Sequence, residues 1–528
     1  MSIIKINSLT FYYPESTDKI FDKLNLNIDT RWKLGLIGKN GRGKTTLMSL
    51  INQKLIPVSG EIRTKVKTFY FPFTPASNEM RTFDIIKESI APFRYWEKKM
   101  NLLSRKADKE SMDLYAEIME KYQSQEGYEI DSKIEKEISY MKMSNDLLKR
   151  EFRTLSLGEQ TRALITALFL KKNSFPLIDE PTDHLDMSGR LILGEYLSQK
   201  SGFILASHDR NFLDLCIDHV LSINKSDVRI NKGNYSQWKN NMEIEEEYEL
   251  RKNDNLRREI KSLENAAKKR RIWSNAKEKE IIGATTLKPN KGYISHKSAK
   301  LMKRALHIEA RIDDKIEEKK SLLKNLEDKR KLKLNNKSKS SEILISVCNA
   351  GFKYESKIIF DNVTFDVKRG ERVAILGNNG SGKTSLLKAI LREIELVEGN
   401  IYMPNFVKVS YSRQDPFWNI GMLPDHLKNS HIDETQFRNI LGVMGAWGEI
   451  FDRPLETFSR GELKKVELCR SFINTGSLLI WDEPMNYLDV MSREQIENVI
   501  LEYKPTMLFT EHDITFVENI ATSSLSMT

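Results

Sequence analysis

A pattern that binds phosphates occurs twice in this chain. Gly38–Thr45 and Gly377–Thr384 both read GxxxxGKT, each after an apolar strand-like run and before a helix-like one. The glycines let backbone N–H groups curl around phosphates, and the helix N-terminus adds positive potential. The lysine reaches the outer phosphates and the threonine hydroxyl is a ligand for Mg²⁺. The repeat predicts an α/β fold with two nucleotide-binding halves.

Further landmarks recur in the same order in both halves. A signature, LSLGEQ from Leu155 and FSRGEL from Phe458, precedes an apolar strand that ends in Asp-Glu-Pro. Leu-Asp follows, and then a histidine at position 208 or 512. With these ordered motifs, both halves resemble the ATP-binding cassette family. Phosphoryl transfer depends on positioning and charge neutralisation, and a carboxylate beside a metal-holding aspartate supplies an acceptor that orients water.

The resemblance implies a role for each matched residue, with ATP and Mg²⁺ as cofactors. Two aspartates hold Mg²⁺ through water, two glutamates polarise the attacking water, and two histidines sense the γ-phosphate: Asp179 and Asp482, Glu180 and Glu483, and His208 and His512. The metal set also contains Thr45, Thr384 and Gln414.

The resemblance also implies a set of ATP contacts from the phosphate loops and the signatures. In the first half these are Gly38, Asn40, Gly41, Gly43, Lys44, Thr45, Thr46, Ser156, Gly158 and Glu159. In the second half these are Gly377, Asn379, Gly380, Gly382, Lys383, Thr384, Ser385, Ser459, Gly461 and Glu462. Tyr13 and Tyr354 each close a Phe-x-Tyr triplet. Either tyrosine alone is typical of a core or edge aromatic, but the doubled register favours adenine stacking.

The first half carries an insertion between its phosphate loop and its signature. The extra residues lie at about 92–148, where charged residues alternate with apolar ones at three- and four-residue steps. This spacing predicts an amphipathic helical arm. A surface helical decoration without a partner is the alternative.

The segment between the halves concentrates the positive charge of the chain. Residues 239–339 hold 29 Lys and Arg against 17 Asp and Glu, whereas the whole chain carries +10. Apolar residues at steps of three and four predict two antiparallel helices at about 240–278 and 296–333, joined by a tip loop at 281–295. A localised basic surplus indicates a polyanion partner and favours nucleic acid over a solvated face.

Twin cassettes, an arm, a long basic hairpin and the lead-in Gly233–Trp238 resemble the ABC-F family. The resemblance implies binding to the bacterial ribosome at its 50S subunit and 23S rRNA, with entry from the tRNA exit side and hairpin contact to P-site tRNA. The long, mixed tip resembles the antibiotic-resistance branch, in which the tip approaches the peptidyl-transferase centre. The residues implied for RNA binding flank the tip loop and are Lys268, Lys269, Arg270, Arg271, Lys303 and Arg304. The residues implied to lie near the drug belong to the tip and are Ile282, Leu287, Lys288 and Tyr293.

Composition limits the remaining classes. No apolar run is long enough to span a membrane and Met1–Thr10 lacks the pattern of a secretory signal, which predicts a cytoplasmic protein without a membrane partner. The three cysteines, Cys216, Cys348 and Cys469, offer neither a disulfide framework nor a metal pair, and we expect buried thiols. The predicted domains are a first cassette at 1–238, a hairpin at 239–340 and a second cassette at 341–528, closing into an intramolecular head-to-tail sandwich in a monomer.

Three alternatives remain open at this point. A housekeeping ABC-F translation factor would share every motif but would not protect against drugs. A twin-cassette ATPase subunit of a transporter has a similar length, but a short linker in place of the basic hairpin. A DNA-associated cassette protein would use the hairpin to grip duplex phosphates, with comparable affinity for DNA and for ribosomes at physiological salt.

Departures from the family pattern predict that the two ATP sites differ. Phe73 stands where the second half has Gln414. In the second signature, Arg460 replaces the usual glycine and Leu463 replaces the usual glutamine. Leu157 and Met485 depart as well. In a head-to-tail sandwich, Phe73 and the second signature share one composite site. We predict a slow or structural site with Lys44 and Glu180 and a faster one with Lys383 and Glu483. The alternative is that Phe73 packs locally and both sites turn over, with water completing the metal shell.

Overall fold

The computed structural model describes residues 2–14, 19–75, 77–106, 108–224, 227–283, 342–355, 357–446, 448–473 and 476–527. The chain forms two compact units, of which the first is Met1–Ser236 with Lys331–Thr528 and the second is Gln237–Arg330. The first unit contains both cassettes.

The first cassette is built on two sheets. A three-stranded antiparallel sheet has the order β2-β1-β4, and a six-stranded sheet has the order β5-β6-β7-β3-β8-β9. The strands are β1 (Ile3–Phe11), β2 (Phe21–Asp29), β3 (Lys33–Ile37), β4 (Ser59–Arg63), β5 (Lys67–Phe71), β6 (Ser174–Asp179), β7 (Phe203–Ala206), β8 (His219–Ile223) and β9 (Val228–Lys232). The central strands of the larger sheet run parallel, and β7 is buried along its whole length, as a strand covered on both faces must be.

Eight helices of the first cassette are described, and α1, which follows the phosphate loop, is the first of them. Their bounds are α1 (Lys44–Ile51), α2 (Thr82–Ile90), α3 (Phe93–Leu103), α4 (Lys109–Ser124), α5 (Ile130–Tyr140), α6 (Leu157–Leu170), α7 (Met187–Ser198) and α8 (Arg210–Cys216). Two short 3₁₀ helices, Asn145–Lys149 and Phe152–Thr154, lead into the signature.

Helices α3 to α5 occupy the predicted arm. The Phe93 ring meets the Tyr122 ring edge-on at a centroid distance of 5.7 Å, and the Tyr122 hydroxyl donates to Glu97 at 3.0 Å. Lys87 forms ion pairs with Glu97 at 2.9 Å and Asp131 at 2.8 Å. These contacts join the arm helices to one another and to α2.

The long helix α9 (Tyr235–Gly283) begins in the first unit and continues into the second, over 49 residues. At 1.5 Å per residue it extends roughly 70 Å. It is five residues longer at each end than the predicted 240–278, because no proline or glycine interrupts the sequence before Gly283. Ile281 and Ile282, which the sequence placed in the tip loop, therefore belong to the helix. The second predicted hairpin helix and the rest of the tip loop lie outside the described residues.

The second cassette repeats this topology. Its antiparallel sheet has the order β11-β10-β13, and its five-stranded parallel sheet has the order β14-β15-β16-β12-β17. The strands are β10 (Ile343–Tyr354), β11 (Lys357–Lys368), β12 (Arg372–Leu376), β13 (Glu398–Tyr402), β14 (Val409–Ser412), β15 (Leu478–Asp482), β16 (Met507–Thr510) and β17 (Ser523–Ser526). In both halves one strand separates the phosphate-loop strand from the Asp-Glu-Pro strand, which confirms the predicted α/β fold with two cassettes.

The helices of the second cassette differ mainly in the region of the arm. They are α10 (Lys383–Ile390), α11 (Leu423–Asn429), α12 (Glu434–Val443), α13 (Arg460–Ile473), α14 (Val490–Tyr503) and α15 (Ile514–Ile520), with 3₁₀ turns at Gly448–Phe451 and Leu455–Thr457. Only the two short helices α11 and α12 are described where the first cassette has α2 to α5.

The remaining sequence predictions concern membrane-spanning helices and the burial of the cysteines. Among the described residues, no helix combines the length and the apolar character that crossing a membrane requires. Cys216 and Cys469 are buried as expected, but Cys348 is exposed. The expectation was wrong there because Cys348 lies beside an irregularity in β10, between Val347 and Ala350, on a stretch that faces outward.

Gly202 lets the loop before β7 pass close to the backbone of the first cassette. Its φ is +72°, and a Cβ atom there would lie 2.1 Å from the Thr30 carbonyl oxygen. Gly370 has a similar φ of +86° but open space around the Cβ position. Both Gly→Ala changes incur backbone strain of about 1 kcal/mol, but only Gly202→Ala adds a clash with the main chain. We expect Gly202→Ala to lower the thermal unfolding midpoint clearly more than Gly370→Ala, as measured by calorimetry. Equal midpoints would contradict this.

Candidate nucleotide sites

Each phosphate loop has a glycine just before its helix, at a position that has no room for a side chain. Gly43 and Gly382 precede α1 and α10 with φ of +92° and +87°. A Cβ on them would lie 2.5 Å from Ile20 Cγ2 and 2.7 Å from Ile359 Cγ2, respectively. Neither helix has a side-chain cap at its start. The first N–H groups of α1 and α10 are therefore available to an anion such as a nucleotide phosphate.

The two phosphate-loop lysines lie inside these loops. Lys44 Nζ donates to the Gly38 carbonyl oxygen at 2.6 Å, and Lys383 Nζ donates to that of Gly377 at 2.8 Å. Burial lowers the pKa of both lysines, although nearby carboxylates oppose the shift. A bound phosphate group would favour the charged form of each lysine, because its negative charge compensates that of the ammonium group.

The predicted metal ligands meet at the ends of β6 and β15. In the first half, Asp179 Oδ2 accepts from Thr45 Oγ1 at 2.9 Å and from the Tyr70 hydroxyl at 2.7 Å. In the second half, Asp482 accepts hydrogen bonds from Thr384 and, at 2.7 Å, from Thr510. Hydroxyl and carboxylate oxygens are the ligands that Mg²⁺ prefers. The residues fit the ion that the family implies, with Thr45 and Asp179 at one site and Thr384 and Asp482 at the other.

The two predicted catalytic glutamates share one backbone geometry but not one environment. Glu180 and Glu483 adopt φ of +44° and +47° just beyond β6 and β15. Glu180 Oε2 accepts from the His208 backbone N–H at 3.1 Å, and Oε1 lies 3.2 Å from His208 Nε2. Glu483 Oε2 instead accepts from Gln414 Nε2 at 2.9 Å. Because both glutamates adopt the same unusual φ, the backbone turn after each strand sets the direction of the glutamate side chain.

Charge at the two glutamates differs in the same sense. Burial, together with the neighbouring carboxylates of Asp183 and Asp179, raises the pKa of Glu180 to about 8. Burial also opposes ionisation of Glu483, but the neighbouring His512 imidazole and an amide hydrogen bond outweigh it, so its pKa is lowered. His512 Nε2 lies 3.6 Å from Glu483 Oε1. Burial lowers the pKa of His208 well below its usual range. Near neutral pH, Glu483 is therefore the more fully ionised of the two carboxylates.

Each phosphate loop completes its hydrogen bonds on the other cassette. The Asn40 backbone N–H donates to Asp489 Oδ2 at 3.0 Å, and its side-chain amide donates to the Tyr487 carbonyl oxygen at 3.0 Å. In the mirror arrangement, the Asn379 side chain lies 3.4 Å from the His184 carbonyl oxygen. A Cβ on Gly461 would lie 2.8 Å from Asn40 Nδ2, so the second signature faces the first phosphate loop. The cassettes therefore meet head to tail.

The signature glutamates have a local structural role. Ser156 caps α6, its Oγ accepting from the Glu159 N–H at 3.3 Å, while Glu159 Oε2 accepts from the Ser156 N–H at 2.8 Å. Ser459 and Glu462 form the same reciprocal bonds at the start of α13. These capping boxes hold the signature serines in place. Sequence reasoning grouped Glu159 and Glu462 with the ATP contacts, and the structure shows how they orient the serines.

The two predicted adenine aromatics lie at the surface. Tyr13 is 42% exposed and its hydroxyl lies 3.1 Å from Thr46 Oγ1, directly beside the phosphate loop. Tyr354 is 68% exposed at the end of β10. Adenine stacking on either tyrosine remains a prediction.

Residues of the predicted RNA and drug sites are only partly described. Lys268 and Lys269 are exposed on α9. Arg270, Arg271 and Ile282 also belong to α9. The others, Leu287, Lys288, Tyr293, Lys303 and Arg304, lie outside the described residues.

Several residues near the glutamates escaped the sequence reasoning. Tyr70 hydrogen-bonds to Asp179, and its counterpart Tyr411 recurs in the same register of the second half, which is the signal that would have identified both. Asn486 Nδ2 donates to Glu483 Oε2 at 2.6 Å. Lys464 is a buried lysine on the signature helix α13. Neither of the last two residues recurs in the first half, so comparing the repeats could not reveal them.

Two composite phosphate sites on a doubled parallel-sheet scaffold define an ATPase of the phosphate-loop class. The family model described as "ABC transporter" matches residues 21–183 and 360–486. The chain belongs to this family and carries its ATP-binding domain twice.

Relatives that match nearly the whole chain include ABC-F proteins, among them the "ABC transporter F family member 2" of Arabidopsis thaliana, 26% identical over 96% of this chain and 75% of its own length. The "Ribosome protection protein VmlR" of Bacillus subtilis is 26% identical, over 99% of this chain and 86% of its own length. The "Erythromycin resistance ATP-binding protein MsrA" of Staphylococcus epidermidis is 28% identical, over 98% of both. An archaeal ribosome recycling factor, crystallised with a ribosomal stalk protein, has a TM-score of 0.60 and 16% identity, and covers 98% of this chain and 87% of its own. That likeness shows the shared fold.

The two catalytic glutamates should not contribute equally to turnover. Glu483→Gln should reduce steady-state ATPase activity by at least about tenfold, because it removes the charged acceptor for the proton of water. Glu180→Gln should reduce activity much less, because burial and the neighbouring carboxylates favour the protonated, neutral form of Glu180. Both changes preserve side-chain shape, so nucleotide binding serves as the control. Equal losses, or the reverse order, would contradict the asymmetry.

Proposed function

We propose that this protein is a cytoplasmic, monomeric ABC-F ATPase that binds the bacterial ribosome and protects it from antibiotics of the peptidyl-transferase centre. The observation that carries the proposal is the length and position of α9. This helix of 49 residues follows the first cassette and forms the start of the most basic segment of the chain. The names of the relatives from Bacillus subtilis and Staphylococcus epidermidis support the same assignment.

The basic segment suits an RNA partner. Lys268 and Lys269 are exposed, and residues 265–308 hold 12 basic side chains against two acidic ones. Phosphate contacts of this kind supply affinity and register, whereas apolar residues beyond them are suited to a pocket. The hairpin would therefore enter the 50S subunit from the tRNA exit side, contact P-site tRNA and 23S rRNA, and place its tip near the bound drug.

Nucleotide would control binding through the contact between the cassettes. ATP held between Lys44 and the second signature, and between Lys383 and the first, adds attraction across an interface that already pairs Asn40 with Asp489. Bound Mg²⁺ would neutralise charge on the phosphates. A ligand that binds the closed form more tightly shifts the population toward it. Hydrolysis removes that preference and releases the ribosome.

The start of α9 is connected to this interface. Tyr235, the first residue of α9, donates its hydroxyl proton to Glu494 on α14 at 3.0 Å. One turn further along α14, Glu497 accepts a hydrogen bond from Arg210 of the first cassette. Closure of the cassettes and the position of the first turn of α9 thus share one helix of the second cassette, which supports a nucleotide-controlled hairpin.

Removing both catalytic carboxylates should trap the closed state. We expect the double variant Glu180→Gln with Glu483→Gln to stay on ribosomes in the presence of ATP and to halt growth, because nucleotide still binds but release is blocked. Sedimentation with ribosomes measures this directly. The control is Lys44→Ala with Lys383→Ala, which should fail to close and remain in the supernatant. A double glutamine variant that also stays in the supernatant would refute the switch.

Protection should be separable from binding. Alanine at Ile282, Leu287 and Tyr293 should abolish resistance while sparing ribosome binding, because these residues are assigned to the drug pocket rather than to phosphate. Glutamine at the six basic flank positions should weaken binding and its dependence on salt. Drug susceptibility and sedimentation across a salt series are the measurements.

The matched control for the flank is Lys252→Gln with Arg257→Gln, exposed positions nearer the start of α9 that should matter less. Tip variants that still protect would remove the assignment of the tip. A wild-type chain that binds ribosomes without protecting them would indicate a general translation factor instead. Equal affinity for duplex DNA would favour the DNA-associated alternative, and failure to bind ribosomes at all would favour the transporter subunit.

A further inference from the structure

Two amide groups hold the catalytic carboxylate of the second cassette. Gln414 Nε2 and Asn486 Nδ2 both donate to Glu483 Oε2, at 2.9 and 2.6 Å. Two donors on one oxygen fix the rotation of the carboxylate and leave Oε1 to face His512 and an attacking water.

A buried ammonium group ties together the segments that carry these residues. Lys464 on α13 is 1% exposed, and its Nζ donates to the Arg413 carbonyl oxygen at 2.9 Å and lies 3.4 Å from that of Asp482. Arg413 and Asp482 immediately precede Gln414 and Glu483. One side chain therefore sets the spacing between the Gln414 loop and the end of β15.

The charge of Lys464 is balanced from within the same cassette. Glu511, Glu467, Asp482 and Glu483 all act on it electrostatically, and Glu511 and Glu467 are themselves buried. A buried ammonium group is retained at a cost, and acidic neighbours and carbonyl oxygens are what make it tolerable. Lys464 and Glu511 thus form one buried set beneath Glu483.

The first cassette carries other residues at the positions of Lys464, Asn486, Glu511 and Gln414. Counting from the signature glycine, Thr161 stands for Lys464, and counting from the catalytic glutamate, Asp183 stands for Asn486. Ser207 stands for Glu511 before the histidine. A carboxylate has no N–H group to donate, and threonine has no ammonium group. Phe73, in the register of Gln414, packs edge-on against Phe71 at 6.5 Å.

We propose that Asn486 and Lys464 are positioning residues that hold Glu483 and the Gln414 loop in the geometry for hydrolysis, and that Asp183 and Thr161 in their places slow the Glu180 site. The inference rests on ATP hydrolysis by the cassettes and does not depend on ribosome binding. Displacing an oriented acceptor by about 1 Å lowers the rate by up to about a hundredfold, even though the nucleotide remains bound.

The test measures turnover and nucleotide affinity separately, on the purified full-length protein without ribosomes. Asn486→Asp and Lys464→Thr should each lower kcat by about tenfold or more, while the affinity for a fluorescent ATP analogue stays unchanged. Thr161→Ala, the matched change in the first cassette, should alter kcat by less than about twofold. Because Lys464→Thr leaves Glu511 buried without its cation, the double variant Lys464→Thr with Glu511→Ser reproduces the first-cassette pair and decides the matter if the single variant is unstable.

A gain of activity provides the converse test. In the Glu483→Gln background only the Glu180 site can turn over, and adding Asp183→Asn should raise the residual rate several-fold. Unchanged kcat in the Asn486 and double variants, or lost affinity with kcat intact, would overturn the proposal, as would a residual rate that Asp183→Asn does not raise. Ribosome sedimentation is not involved, so a failure here is distinct from failure of the ribosome assignment.

Discussion

The phosphate loop of each cassette finishes its hydrogen bonding on the opposite cassette. Asp489 is buried and accepts the backbone N–H of Asn40, and Asp186 accepts that of Asn379 in the mirror position. A buried carboxylate needs partners, and here one partner belongs to the other half of the chain. Neither nucleotide site is therefore complete within one cassette. The contact between the cassettes thus places each signature opposite a phosphate loop.

This reciprocal frame is supplemented by contacts that exist on one side only. Arg190 pairs with Asp209 at 3.0 Å and Arg493 pairs with Asp513 at 2.8 Å, which preserves the symmetry of the repeat. Arg210, by contrast, crosses to Glu497, and the second cassette has Ile514 in the equivalent position. Separating a buried ion pair would leave each charge without its partner, which is costly. The Arg210–Glu497 pair therefore stabilises the contact between the cassettes, and the uncharged Ile514 cannot form such a pair at the mirror position. The first turn of α9 begins next to the same helix, through Tyr235 and Glu494.

The two ATP sites show how a duplicated fold can diverge without changing its scaffold. Both predicted catalytic glutamates follow a parallel strand at the carboxyl edge of a sheet, where ligands of such folds bind. The backbone turn is the same in both halves, and the difference lies in the groups that surround each carboxylate. An imidazole lies beside each glutamate. Two side-chain amides donate to Glu483, whereas a second carboxylate, Asp183, stands near Glu180. The scaffold sets the position of the carboxylate, and its neighbours set its charge.

Much of this could be predicted from the amino-acid sequence, because phosphate loops, signatures and Asp-Glu-Pro strands are local patterns whose chemistry depends on residues close together in the chain. The sequence by itself determined the two α/β cassettes, the helical arm and the long helix at the start of the basic segment, although α9 proved longer than its apolar spacing indicated. It also predicted the two glutamates and the residue pairs that fit a metal ion.

Only the tertiary structure decided what surrounds those residues. Lys464 beneath Glu483 and Arg210 across the interface join segments that are distant in the chain, so no local spacing reveals them. Asn486 lies only three residues beyond Glu483, but the sequence does not show that its amide donates to that carboxylate. The unlike charge of Glu180 and Glu483, which both lie in an Asp-Glu-Pro motif, also depends on the folded surroundings. Burial and through-space neighbours set a pKa, and both arise only when the chain has folded.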